Sequence, residues 1–173
     1  MIWWICCWLS LLGKGGGMLD IYKRQTLALE LIKRKARVAM IHEETNISIK
    51  WLRKAYRQYH GVSARSGDSK QSIHALTRTN KQYKEATAFA VCYRHAELIL
   101  EQDGIHIAIN AFDVFKTMCP TSQLDFSDAY LIAKNLQDRK IEVNKCQNCG
   151  SAVLIKARIN FIEACVICRG LIR

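Results

Sequence analysis

Proline is almost missing from this chain, with one occurrence in 173 residues. Polyproline linkers and Pro-rich tails are therefore excluded, and half of the residues are hydrophobic, which excludes disorder over most of the length. No apolar run approaches the ~20 residues that a transmembrane helix requires. The nearest, Met1 to Leu12 (MIWWICCWLSLL), is much shorter, with no basic residue before it and no convincing cleavage site after it. It reads neither as a span nor as a secretion signal. Eight cysteines without such a signal point to a reducing, cytoplasmic setting. Also absent are a Gly-rich phosphate loop, a nucleophile elbow and an H-E-x-x-H pair, so no catalytic residue is expected and the chain reads as a non-enzyme.

Acidic residues are scarce, 15 against 26 basic, and the formal charge is +11. Its distribution says more than its size. Lys23 to Arg57 holds ten basic and three acidic residues; Lys140 to Arg173 holds six and two. These two blocks carry +7 and +4, and everything outside them is neutral in sum. Concentrated positive charge is the footprint of a polyanion such as double-stranded DNA.

The residues that organise the rest come late. Cys146-Gln147-Asn148-Cys149-Gly150 and Cys165-Val166-Ile167-Cys168 are two C-x-x-C pairs with fifteen residues between them. That spacing suits two tight turns delivering four thiolates to one ion. Gly150 tolerates the positive φ that such a turn demands. Ala152 to Lys156 and Ile159 to Glu163 are β-branched and aromatic in the manner of two short strands. A zinc ribbon is expected, with Cys146, Cys149, Cys165 and Cys168 filling every position on one structural zinc ion. Two redox dithiols or two disulfides would give the same letters, but neither pair sits in the βαβ setting of a thioredoxin-like site. Lys145, Lys156, Arg158 and Arg169 offset the site's negative charge or face a phosphate backbone.

Before the ribbon the chain is mainly α. A helical pattern runs from Asp20 to about Glu43 and breaks at Glu44-Thr45-Asn46, where Asn46 accepts a left-handed conformation. Ser48 then caps a second helix that Gly61 closes. Counting 100° per residue puts Ile49, Leu52, Ala55, Tyr56 and Tyr59 on one side and Lys50, Arg53, Lys54 and Arg57 on the other. Helix, short turn and a second helix with a cationic outer face make a helix-turn-helix-like layout. None of the four outward positions is acidic, so ion pairing along the helix does not explain them. Ser48, Lys50, Arg53, Lys54 and Arg57 are the candidate DNA contacts. His42 stands where such units often carry a small residue.

Gly61 to Thr79 reads as a polar linker. Three further helices follow: Lys81 to Glu101 capped by Asn80, Ile105 to Met118, and Asp125 or Ser127 to Gln137. Cys92 and Cys119 read as buried core thiols; His74, His95 and His106 read as ordinary isolated histidines. The expected divisions are 1–17, a leader outside the fold with Met18 as the working start; 18–61, the helix-turn-helix-like DNA-binding region; 62–140, the helical body; and 141–173, the zinc ribbon.

Three stretches together carry a resemblance: Leu27-Ala28-Leu29-Glu30-Leu31-Ile32 leading to Glu44-Thr45-Asn46-Ile47-Ser48 with Leu52 and Tyr56; Leu124-Asp125-Phe126-Ser127-Asp128-Ala129-Tyr130; and the paired cysteines. From about Met18 onward the chain resembles the FlhC family of flagellar transcriptional activators. The resemblance implies a DNA-binding subunit with a four-cysteine zinc site on Cys146, Cys149, Cys165 and Cys168. It also implies a hetero-oligomer with an FlhD-like partner that recruits RNA polymerase to flagellar promoters. The competing reading is a zinc-ribbon interaction module without direct DNA binding; a redox dithiol enzyme is a third.

Overall fold

The computed structural model describes residues 17–65, 72–156, 165 and 168. The leader and the second expected strand, Ile159 to Glu163, lie outside them. Among the described residues the chain is mainly helical, with seven helices and one two-stranded sheet. It divides at Arg65 into two compact units.

The first unit is built from α1 (Met18–Lys33), α2 (Val38–Thr45) and α3 (Ile49–His60). Ala28, Leu31 and Ile32 of α1, Val38, Met40 and Ile41 of α2, and Leu52 and Tyr56 of α3 form its core. The single helix expected from Asp20 to Glu43 is broken between Lys33 and Val38. Lys35 turns left-handed (φ 58°), and the amides of Lys35 and Ala36 donate back to the carbonyls of Ile32 (2.8 Å) and Leu31 (3.1 Å). That pair of bonds is a Schellman closure, which satisfies the helix's last carbonyls and redirects the chain. Burial of Ala36 beyond the turn completes it.

The turn between α2 and α3 follows expectation. Asn46 is left-handed (φ 55°), Ser48 accepts from the Trp51 amide at 3.4 Å, and Gly61 closes α3 with φ 70°. Two side chains lock it. The buried Thr45 hydroxyl donates to the Ile41 carbonyl at 2.6 Å, and His42 Nδ1 lies 2.7 Å from the Ile47 carbonyl, spanning the turn. At the far end His60 Nε2 reaches the Ile32 carbonyl at 2.7 Å and so ties α3 to the end of α1.

In the second unit α4 (Ile73–Leu76) interrupts what read as a linker, and α5 (Asn80–Ile99), α6 (Gly104–Met118) and α7 (Phe126–Gln137) surround an aromatic core. Phe89 meets Phe115 edge-to-face at 6.0 Å, and Phe112 meets Phe126 likewise at 5.2 Å; such geometry adds to area burial. The cap of α5 is Thr79 rather than Asn80. Thr79 and Gln82 exchange bonds with each other's amides in a capping box, which leaves Asn80 as the first helical residue. Asp125 caps α7 by accepting from the Asp128 amide at 2.8 Å.

After α7 a second Schellman closure, with Arg139 left-handed (φ 53°), launches β1 (Ile141–Lys145). It pairs antiparallel with β2 (Ala152–Lys156) in the register Ile141↔Lys156 to Lys145↔Ala152. The Tyr83 hydroxyl on α5 donates to the Leu154 carbonyl at 2.7 Å, fixing the hairpin to the helical body. No described helix is long and apolar enough to cross a membrane.

Candidate metal centre and cationic helix

The β1–β2 hairpin exists to present its tip. Lys145↔Ala152 is the last ladder pair, and Cys146 to Ser151 form the loop beyond it. There the Cys146 amide donates to the Ser151 carbonyl and the Gly150 amide to the Cys146 carbonyl, both at 2.8 Å, with Gly150 at φ 70°. This turn brings Cys146 and Cys149 to one side. Cys165 and Cys168 meet them, and the Cys168 amide points at the Cys165 sulfur at 3.4 Å.

All four Sγ atoms lie within 4.8 Å of one another. Cys146 to Cys168 is 3.7 Å, Cys149 to Cys165 is 3.5 Å and Cys165 to Cys168 is 3.6 Å. Zinc–sulfur bonds of about 2.3 Å in a tetrahedron place the sulfurs roughly 3.8 Å apart, whereas a disulfide needs about 2.05 Å. The donor set therefore fits one tetrahedral thiophilic ion and not a pair of disulfides. Cys146, Cys165 and Cys168 are buried with Val153 and Ile155; Cys149 is exposed.

The thiols do not hold their protons equally. Backbone amides, that of Cys149 foremost, converge on the Cys146 sulfur and lower its pKa to about 6. The Ser151 side chain, then the Cys168 thiol, stabilise the Cys149 thiolate and lower its pKa too. Cys168 pays the opposite way: its hydrogen bond to Cys149, then burial, push it up to about 12. A cluster that favours the thiolate at Cys146 and holds the proton at Cys168 would release that proton on binding a cation.

The cationic residues expected on α3 are where the helical count put them. Lys50, Arg53, Lys54 and Arg57 are all exposed, and so is the capping Ser48. Arg57 donates to the Ser63 hydroxyl at 3.1 Å; among the described residues none of the four cations forms an ion pair with a carboxylate. The opposite face is less uniformly covered than its apolar letters suggest. Leu52 and Tyr56 are buried, while Ile49 and Tyr59 remain exposed at the helix's two ends. The two basic strand residues at the hairpin, Lys145 and Lys156, are also exposed; Arg158 and Arg169 lie outside the described residues.

Two thiols depart from expectation. Cys92 and Cys119 are half-buried rather than core residues, and both line a cavity between α5, α6 and β2. No local pattern signals such a cavity, because it forms where elements distant in sequence meet.

Compared with known proteins, residues 17–173 match the family described as flagellar transcriptional activator (FlhC). No curated protein matches the chain.

Proposed function

The chain belongs to the FlhC family of flagellar transcriptional activators, and from that membership we propose that it is the DNA-contacting subunit of a cytoplasmic hetero-oligomer with an FlhD-like partner. In this reading the complex binds promoter DNA and recruits RNA polymerase. The observation that carries it is the outer face of α3: four exposed cations follow a helix-turn-helix-like turn, with no carboxylate among the described residues to neutralise them. Such a surface gains most against a phosphate backbone, where each cation displaces condensed counterions. Ser48 and the first-turn backbone of α3, whose N-terminal end favours anions, offer further phosphate contacts. Arg53 is assigned a base contact, since guanidinium bonds two acceptors of guanine at once. Lys50, Lys54 and Arg57 are assigned to phosphates.

The four cysteines are assigned to zinc. Cys146, Cys149, Cys165 and Cys168 would hold the ion, which supplies the cross-link of a very small two-stranded unit. Four protein sulfurs complete a tetrahedron, leaving no position for water or substrate, so the role is structural and no catalysis is assigned.

The experiment compares the wild-type chain with the Arg53→Ala/Arg57→Ala chain, each with the FlhD-like partner, in binding to promoter DNA across a salt series. Loss of one phosphate contact lowers the slope of log affinity against log salt by about 1, and loss of a base contact relaxes preference at one position. Unchanged zinc content and melting would show that the loss is one of contacts. Equal affinity, preference and slope in the two chains would defeat the assignment and favour an interaction module that never meets DNA.

A further inference from the structure

The cavity between α5, α6 and β2 encloses about 400 Å³, within the range of small-molecule sites. Its floor is buried: Thr87, Phe115, Val153 and Cys165. Its mouth is open, with Val91 40% and Met118 70% exposed, and the exposed Lys84 also lines it. Polar groups that could greet a polar guest are already engaged. The Tyr83 hydroxyl donates to the Leu154 carbonyl, and the Thr87 hydroxyl donates to the Tyr83 carbonyl at 2.8 Å. A guest rich in hydroxyls or amides would lose its water without replacement. Lys84 is different, because among the described residues it has no hydrogen-bond or ion-pair partner. The wall thiols Cys92 and Cys119 add soft apolar surface. Burial, then the neighbouring Cys119, raises the Cys92 thiol above its ordinary value, which keeps it protonated and unreactive at neutral pH.

We propose that this cavity binds a medium-chain carboxylic acid, with its alkyl chain laid over Phe115 and Val153 and its carboxylate at Lys84. Size, apolar lining and Lys84, the one cation among the described lining residues, together select that chemistry. The binding is reversible and non-covalent. Because Val153 packs among the cysteines and Cys165 is one of them, an occupant presses directly on the back of the four-cysteine cluster. Occupancy therefore slows release of the bound ion. The proposal does not depend on DNA binding.

Decanoate is the probe, titrated calorimetrically into the full-length, zinc-loaded chain, with decanol as the uncharged comparison. The expected result is saturable one-to-one binding of decanoate, a raised melting temperature, and slower zinc transfer to a chelator. Lys84→Gln weakens decanoate about fivefold, the worth of an exposed ion pair, and leaves decanol unchanged. Ala88→Phe fills the cavity and weakens both at least about tenfold. Val91→Trp, at the exposed mouth, gives the same loss should Ala88→Phe lower zinc content or melting. Absence of saturable binding overturns the proposal, as does binding indifferent to both cavity-filling variants. Equal affinity for decanol together with no effect of Lys84→Gln overturns the acid assignment. Co-sedimentation with phosphatidylglycerol vesicles that Ala88→Phe abolishes would assign the site to membrane lipid and overturn the free acid.

Discussion

Cys146 and Cys168 show how differently one cluster can treat identical side chains. The first is converged on by backbone amides and ionises near 6; the second, donating to Cys149, holds its proton to about 12. A cation that needs four thiolates must therefore expel at least the Cys168 proton at neutral pH, and the Cys146 proton as well once pH falls through 6. Zinc affinity is expected to fall with decreasing pH, by about tenfold per unit for each proton expelled. Calorimetry in buffers of different ionisation heat counts those protons. Binding of structural zinc to such modules is worth roughly 10–16 kcal/mol, so Cys165→Ser is expected to abolish stoichiometric zinc and unfold the hairpin region. Metal analysis and thermal melting check both. Tyr93 tests the helical body separately. Its ring is fully buried, its hydroxyl lacks a hydrogen bond of normal geometry, and burial raises its pKa to about 12. An unfolded tyrosine ionises near 10, so above that pH the unfolded state sheds a proton that the folded state retains. The Tyr93 contribution is complete below pH 10 and is lost as pH rises from 10 to 12. Tyr93→Phe is expected to flatten that part of the stability profile. The four cysteines were readable from spacing because turn geometry is local. Cys92 and Cys119 were not, since their half-exposure depends on a cavity assembled by α5, α6 and β2.

Helix ends divide into those a sequence announces and those it does not. Asn46, Ser48 and Gly61 announce the turn into α3 and the stop after it, each through its own backbone or side-chain preference. Nothing between Lys33 and Val38 does the same. Lys35 is a good helix former, yet it sits at φ 58° because α2 must fold back to bury Val38, Met40 and Ile41. Lys35→Gly is expected to stabilise the chain by about 1 kcal/mol, since glycine meets no Cβ clash in the left-handed region. Chemical denaturation measures it. Thr79→Ala, which removes the capping box missed in favour of Asn80, is expected to cost about 1 kcal/mol. Strand β1 shows a different limit. Ile141 and Val143 alternate with polar residues, but five residues are too few for periodicity to outweigh the stronger apolar run beyond Cys149.

For the whole molecule, the electrostatic expectation is the most quantitative. With the three proposed phosphate contacts of Lys50, Lys54 and Arg57, the salt slope is expected at about −2.7, a loss of roughly fortyfold in affinity between about 50 and 200 mM salt. A salt series on the chain mixed with an FlhD-like protein measures this, and a slope near zero would contradict the phosphate role. Fold class and the clustering of the four cysteines were both legible, one from 3.6-residue periodicity and the other from paired C-x-x-C spacing. The location of the second unit's cavity was not, because it depends on long-range packing.

Cys149 adds a consequence of another kind. Three of the four sulfurs are buried and it alone is open to water, so ligand exchange with an outside chelator must begin at this one side chain. For an ion held by the four cysteines, equilibrium affinity would belong to all four thiolates, but residence time would belong chiefly to Cys149. A brief pulse of iodoacetamide followed by peptide mapping is expected to mark Cys149 before Cys146, Cys165 or Cys168. On that route the turnover of a bound metal would be set by how well a single loop residue is shielded, and any partner that covers the hairpin tip would lengthen the ion's stay without touching its bonds.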